Sequence, residues 1–206
     1  MCINSIQTQF LYSTTMTQIF GNFIEKPLTK EKLILEFLSD SISVQDFWRN
    51  NDYAANFIAD FLTAFISKNG ATSDSQRQAE AKSAASYIAN ELLENAVKYS
   101  HQASQIPIQI KLYLDKGKIL FFIKNSLSHL RSANLQGVIY QLSNSNHEEL
   151  YFNQLEKSID DEYSFKSGLG FLSMINDYSA KVAWKFETVA DKPAIMIVTT
   201  MVEFQM

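Results

Sequence analysis

Apolar residues in this chain switch between helical spacing and strict alternation, and the switches mark its elements. Between Val44 and Ser67, Phe47, Ala54, Phe57, Ile58, Phe61, Leu62 and Phe65 recur three and four residues apart, as an amphipathic helix requires. Asn69-Gly70 supplies its stop. A polar loop, Ala71 to Ser75, leads to a second long helix from about Gln76 to Tyr99. This helix is free of Gly and Pro, and its buried stripe is Ala85, Ile88, Ala89, Leu92, Leu93 and Ala96. The period then drops to two. Pro107 opens a strand through Ile108, Ile110, Leu112 and Leu114, and Asp115-Lys116-Gly117 is a hairpin turn. Ile119 to Ile123 returns as a strand that is apolar on both faces and therefore central. Ser126 to Tyr163 is polar and mixed, with helical pieces near Ser132–Leu142 and Glu148–Ile159. Gly168-Leu169-Gly170 precedes a further helix, Phe171 to Tyr178. Val182–Phe186 and Ala194–Phe204 finish as strands around Asp191-Lys192-Pro193.

The N-terminal part is less patterned. Residues 1–24 carry no charge and show no clean period, and Lys30 to Phe37 alternates weakly, so residues 1–35 read as an arm or a strand. No repeat or linker divides the chain, which is expected to be a single domain over 1–206. Helices and strands are segregated rather than alternating. That order predicts an α+β fold, a two-layer α/β sandwich. The hairpin 108–123 is expected in the middle of a mixed sheet, closed by Val182–Phe186 and Ala194–Phe204. The long helices near 46–68 and 76–99 are expected to cover one face.

Composition narrows the partners. Of 206 residues, 46% are hydrophobic and 13% aromatic but only 19% charged, which suggests a protein-binding surface. A net charge of −4 and only three Arg argue against nucleic acid. No apolar run reaches the ~18 residues of a membrane span. The first basic residue is Lys26, so the start lacks the charged region of a secretory signal. The single Cys2 forms no internal disulfide, builds no Cys-type zinc site and fits a reducing cytoplasm.

Chemistry concentrates in two places. In Asn90-Glu91-Leu92-Leu93-Glu94-Asn95-Ala96-Val97-Lys98-Tyr99-Ser100, helical geometry lines up Glu91, Asn95 and Lys98 along one border of the apolar stripe. Asn95 offers a hard oxygen ligand for Mg²⁺, Glu91 a proton acceptor for an attacking hydroxyl, and Lys98 a cation for phosphate. The plainer reading of the same residues is a solvated helix edge with a Glu–Lys pair. The second place is Ser167-Gly168-Leu169-Gly170, where glycines at a helix start expose N–H groups that cradle an anion. Its plainer reading is an ordinary turn. His101, His129 and His147 read as surface residues in polar loops. Asp160-Asp161-Glu162 reads as a solvated loop, and Trp48-Arg49-Asn50-Asn51 as a helix-edge anchor.

Taken in order, these features resemble the Bergerat-fold ATPases, the superfamily of gyrase, Hsp90, histidine kinases and MutL. Glu91 to Ser100 looks like the N box and Gly168-Leu169-Gly170 like the second glycine box, together framing roughly residues 76–204. Glu91 beside Asn95 is more similar to the anti-sigma-factor serine kinases and the SiaB-type partner-switching kinases than to a sensor histidine kinase. The resemblance implies ATP and Mg²⁺ as cofactors, Asn95 on the metal, Glu91 as general base, and Gly168 and Gly170, with Ser167 and Lys98, on the triphosphate. It implies a small protein partner, anti-sigma-antagonist-like or SiaC-like, phosphorylated on Ser or Thr in bacterial signalling, and it leaves room for a homodimer. One box departs. Where the superfamily has Asp-x-Gly-x-Gly after the strand ending near Lys124, this chain has Asn125-Ser126-Leu127-Ser128-His129. Asn125 then stands in for the carboxylate that accepts from the adenine amino group, as a neutral and weaker acceptor. The alternative that this departure motivates is a non-catalytic switch module that keeps the fold and binds a signalling partner.

Overall fold

The two alternating runs around residue 117 do form a hairpin. In the computed structural model, which describes residues 16–27, 29, 32–37, 57–64, 75–115, 117–160, 168–189 and 195–205, β3 (Ile108–Asp115) and β4 (Lys118–Ser128) pair antiparallel. Ile110 stands opposite Ile123, and Leu112 opposite Phe121. Side chains that face each other across a ladder share a face, and here that face is apolar and buried. β4 does not end near Lys124. It runs on to Ser128, with Asn125 opposite Val198 and Ser128 opposite Ile195. The extra stretch has no Gly or Pro to break it, and its partner strand is long enough to pair with it.

Around this hairpin stand β1 (Thr17–Phe20), β2 (Lys32–Phe37), β5 (Lys181–Thr188) and β6 (Ile195–Gln205), in the order β1-β5-β6-β4-β3-β2. Every pairing is antiparallel. The sheet is therefore not mixed as expected, because the two hairpins lie side by side with β4 and β6 running in opposite directions. Those two strands, rather than the whole β3–β4 hairpin, form the centre. The described parts of the N-terminal segment supply the two edges.

The helices lie on one face, giving the expected two-layer sandwich. Residues 57–64 are helical (α1). They are followed by α2 (Ser75–Tyr99), α3 (His129–Asn144), α4 (His147–Asp160) and α5 (Leu169–Tyr178). The stripe expected on α2 is buried as read: Ala85, Ile88, Ala89, Leu92, Leu93 and Ala96 are all at or below 3% exposure. On α1, Ile58 and Leu62 join the same core, whereas Phe57, expected on the stripe, is exposed. The remainder of the expected 44–67 helix, including Trp48 to Asn51, lies outside the described residues, as do residues 1–15, Asp161, Glu162 and Ser167. Both helices of the insert start earlier than their apolar spacing suggested, because polar caps extend them. Ser128 Oγ accepts from the Arg131 N–H at 3.4 Å, and Asn146 Oδ1 accepts from Glu148 N–H at 2.9 Å. His129 and His147 consequently open helices instead of lying in loops.

The other face of the sheet carries no helix among the described residues. β1 and β2 occupy opposite edges, so the chain between them crosses the sheet. Residues 21–27 make that crossing as a strap. Phe23 meets Phe122 edge-on at 5.8 Å between centroids, and the Ile24 N–H reaches Met201 Sδ at 3.3 Å. The strap thus covers a second, smaller apolar cluster of Leu120, Phe122, Ala183 and Met201. No described helix is long and apolar enough to cross a membrane.

Candidate functional site

The C-terminal end of α2 is fastened where its polar border meets the sheet. The His101 N–H donates to the Ser126 carbonyl of β4 at 2.8 Å, and the hydroxyls of Ser104 and Ser126 share a 2.7 Å hydrogen bond. Arg131, in the first turn of α3, donates through Nη1 to the carbonyls of Tyr99 and Ser100 at 2.9 and 3.1 Å. A guanidinium on the last carbonyls of a helix satisfies acceptors that the helix leaves open and complements its dipole. These ties hold Asn95 and Lys98 at a fixed position above β4 and β6.

Beneath them is a cavity of about 380 Å³. Its floor is Ile123, Asn125 and Leu127 of β4 with Val198 and Thr200 of β6. Its walls are Leu92, Asn95, Lys98 and Tyr99 of α2, the start of α3, and Gly168 with Phe171 of α5. Asn95, Lys98, Asn125 and Gly168 come from three separate stretches of sequence and converge here. Asn125 is buried at 5% exposure, because the prolonged β4 turns it toward the helices, and its amide lies at the cavity floor. Lys98 Nζ lies 5.3 Å from the centroid of the Tyr99 ring, a cation–π distance.

Gly168 has a clear reason to be glycine. It is buried, caps α5 with φ 105°, a conformation that L side chains rarely adopt, and accepts the Leu172 N–H at 3.0 Å. Among the described residues no side chain caps this helix start. Gly170 is a glycine for another reason. A Cβ there would meet the Glu91 carboxylate, whose Cδ lies 3.2 Å from that position. Glu91 and Gly170 therefore meet each other beside the cavity and are not part of its lining. Burial raises the Glu91 pKa above the ordinary 4.5; the neighbouring Glu94 charge adds to this, and Lys98 opposes it. One turn earlier, burial raises the Tyr87 pKa, although a hydrogen bond with Ser173 opposes the shift.

Three polar groups of the cavity were not read from the sequence: Arg131, Asn134 and Thr200. A signal existed for the first. Ser128 is a good N-cap residue, and a helix starting there places Arg131 in its first turn. Nothing in the pattern marked the other two. Among the described residues no three His, Cys, Asp or Glu side chains gather as a metal site. Asn95 offers a single amide oxygen, which suits Mg²⁺ only where phosphate oxygens complete the shell. His101, expected on the surface, is half-buried, and its Nδ1 is buried without a partner among the described residues. The volume falls within the ~300–1,000 Å³ of small-molecule sites. Apolar walls with a few convergent polar groups suit a small molecule that has both an apolar and a polar part.

No protein-family model matches the chain, and no curated protein matches it. Among solved structures, a chain of the SiaB–SiaC complex from Pseudomonas aeruginosa has a similar fold, with a TM-score of 0.51 at 12% sequence identity. The match covers 80% of this chain and 98% of that one, and it is a likeness of fold.

Proposed function

We propose that this chain is an ATP-binding partner-switching protein kinase of the Bergerat type, acting on Ser or Thr of a small regulatory protein. The observation that carries the reading is the convergence of Asn95, Lys98, Asn125 and Gly168 on one cavity. Asn125 accepts from the exocyclic amine of the base. Lys98 and the uncapped start of α5 take the phosphates. Asn95 holds Mg²⁺, which neutralises phosphate charge when bound. The partner hydroxyl attacks the γ-phosphorus, the bond to the bridging oxygen breaks, ADP leaves, and the hydroxyl proton passes to Glu91. A carboxylate with a raised pKa is a better proton acceptor for that step. The fold likeness to a chain of a SiaB–SiaC complex supports the choice of a small protein as partner.

A second reading has its own observation. β4 continues as paired strand through Ser128, so no glycine loop flanks the base position. That favours a non-catalytic switch module with the same fold and partner type. Thermal melting with Mg-ATP separates the two. At 100 times its dissociation constant, a ligand adds about 2.7 kcal/mol. Radiolabelled phosphoryl transfer to the partner then tests Glu91→Gln, which is expected to bind ATP at least as tightly as the parent and transfer about 10²–10⁴-fold more slowly. No melting shift at millimolar Mg-ATP sinks the kinase reading and leaves the switch module.

A further inference from the structure

Two lysines on the strap side of the sheet make no ion pair among the described residues, although Glu36, bonded to Gln109, shares that face. Lys124 of β4 stands opposite Gln109, and Lys111 of β3 stands opposite Phe122, so both side chains point away from the helices. They are diagonal neighbours on adjacent strands, about 7–8 Å apart. Both are half-buried, and among the described residues neither makes an ion pair. Together with the strap they enclose a polar cavity of about 200 Å³, into which Thr199 and Gln109 also project.

The third lysine of this cavity, Lys185, is in a different state. Its Nζ lies 3.0 Å from Glu25 of the strap and 3.2 Å from Glu187. Burial pulls its pKa down, but hydrogen bonds to those two carboxylates, and their charges, more than offset this and leave it above the ordinary value. Both glutamates in the cavity are therefore already engaged. Lys185 with its two glutamates sums to −1 while Lys111 and Lys124 carry +2, so the lining as a whole holds one positive charge in excess. Two ammonium groups held on one face of a sheet repel each other, and an anion between them relieves that repulsion.

We infer that this cavity is a binding site for a phosphate-class oxyanion, either the free ion or the phosphoryl group of a phosphorylated side chain. Lys111 and Lys124 supply the charge, as compact ammonium donors suited to phosphate. The Thr199 hydroxyl donates from between Lys124 and Lys185 in the cross-strand row. Gln109 Nε2 donates one N–H to Glu36 at 2.7 Å, and its amide carries a second donor. A cavity of this size holds a phosphate or a phosphorylated serine and is too small for a nucleoside triphosphate.

The site does not depend on the nucleotide reading. Lys124 and Asn125 are consecutive in β4, as are Thr199 and Thr200 in β6, so the two cavities lie back to back with the sheet between them. The test is titration of the full chain with inorganic phosphate and, separately, O-phosphoserine, at constant ionic strength set by chloride. Backbone amide shifts are followed by NMR and affinity by calorimetry. Shifts are expected at Lys111, Lys124 and Thr199. Lys111→Gln and Lys124→Gln are each expected to weaken binding about tenfold, and Lys82→Gln, at an exposed lysine of α2 outside both cavities, to leave it unchanged. Tighter binding of phosphoserine assigns the ligand to a phosphorylated side chain, and equal or weaker binding assigns it to the free ion. Absence of binding by both, shifts confined to the surroundings of Lys98 and Gly168, or unchanged affinity in both sheet-face variants overturns the assignment. The mapping on the parent protein decides the question even where a variant folds poorly.

Discussion

Gly170→Ala probes the placement of Glu91 more cleanly than any change at Glu91 itself. The new Cβ would meet the Glu91 carboxylate, so that side chain must turn away. Two terms oppose each other. Ala is favoured over Gly in a helix by about 0.8–1.0 kcal/mol at interior positions, and by less in a first turn such as this one. Displacing Glu91 from its rotamer costs about 0.5–1.5 kcal/mol. The obstructing atoms are the far end of a flexible side chain, so the helix need not move, and the two terms nearly cancel. Gly170→Ala alone is thus expected within about 1 kcal/mol of the parent. In a Glu91→Ala background the obstruction is gone, and the same substitution should show its full helical gain. The coupling between the two sites should therefore be about 0.5–1.5 kcal/mol.

Urea unfolding of the parent, the two single variants and the double variant measures that coupling. Additivity within about 0.3–0.5 kcal/mol would refute the contact. Under the kinase reading, Gly170→Ala should also slow phosphoryl transfer while ATP still binds, since the displaced group is the proton acceptor. Gly168 is no substitute for this experiment. Its φ of 105° makes any side chain strained, so a loss of function there would confound backbone with ligand.

Three further outcomes follow from the same geometry. Glu91 has a raised pKa when folded, so its favourable contribution is present below the ordinary value of 4.5 and is lost as pH rises through the folded value. Glu91→Gln should accordingly be more stable than the parent near pH 7, with the advantage shrinking toward about pH 4, by urea unfolding at both. Arg131→Ala removes both bonds to the end of α2 and should cost about 1 kcal/mol, with hydrogen exchange quickening first around Tyr99 and Ser100. Phe23→Ala uncovers Phe122 and should cost about 2 kcal/mol in chemical denaturation, less than a fully buried Phe because Phe23 is only half-buried.

The elements legible in advance are those whose burial is one-sided. α2 shows its stripe because one side meets the sheet and the other meets water, so the apolar residues at 85, 88, 89, 92, 93 and 96 keep the helical period. β3 alternates for the same reason: its odd-numbered residues, Gln109, Lys111 and Tyr113, look toward the strap. The end of β4 was not legible. Asn125-Ser126-Leu127-Ser128 reads as loop by composition, and only pairing with β6 makes it strand. Local propensity is weak beside a full ladder of backbone hydrogen bonds to a neighbour distant in sequence. The strap was hidden for a similar reason. Residues 21–27 have no period of their own, because they take their place from Phe122, Met201 and Lys185 beneath them.

The site divides along the same line. Glu91, Asn95 and Lys98 sit on one helix, so their mutual placement follows from spacing alone. Their relation to anything else does not. Sequence order suggested that Gly168 and Gly170 serve one purpose, yet one shapes the start of α5 and the other makes room for a carboxylate on α2. That difference bears on mechanism. If Glu91 meets α5 and not the cavity, then the helix start that would cradle phosphate already has a negative group beside it. An incoming triphosphate must compete with that carboxylate or displace it. Displacement is favourable where Glu91 is protonated, which its raised pKa promotes, and where Lys98 exchanges its attraction for Glu91 for one to phosphate. Nucleotide affinity should therefore strengthen as the pH is lowered toward the raised Glu91 value, and Glu91→Gln should remove that dependence. Calorimetric titration of Mg-ATP across a pH series, with parent and variant, measures it. Equal dependence in both proteins would show that Glu91 does not stand in the way of the phosphates.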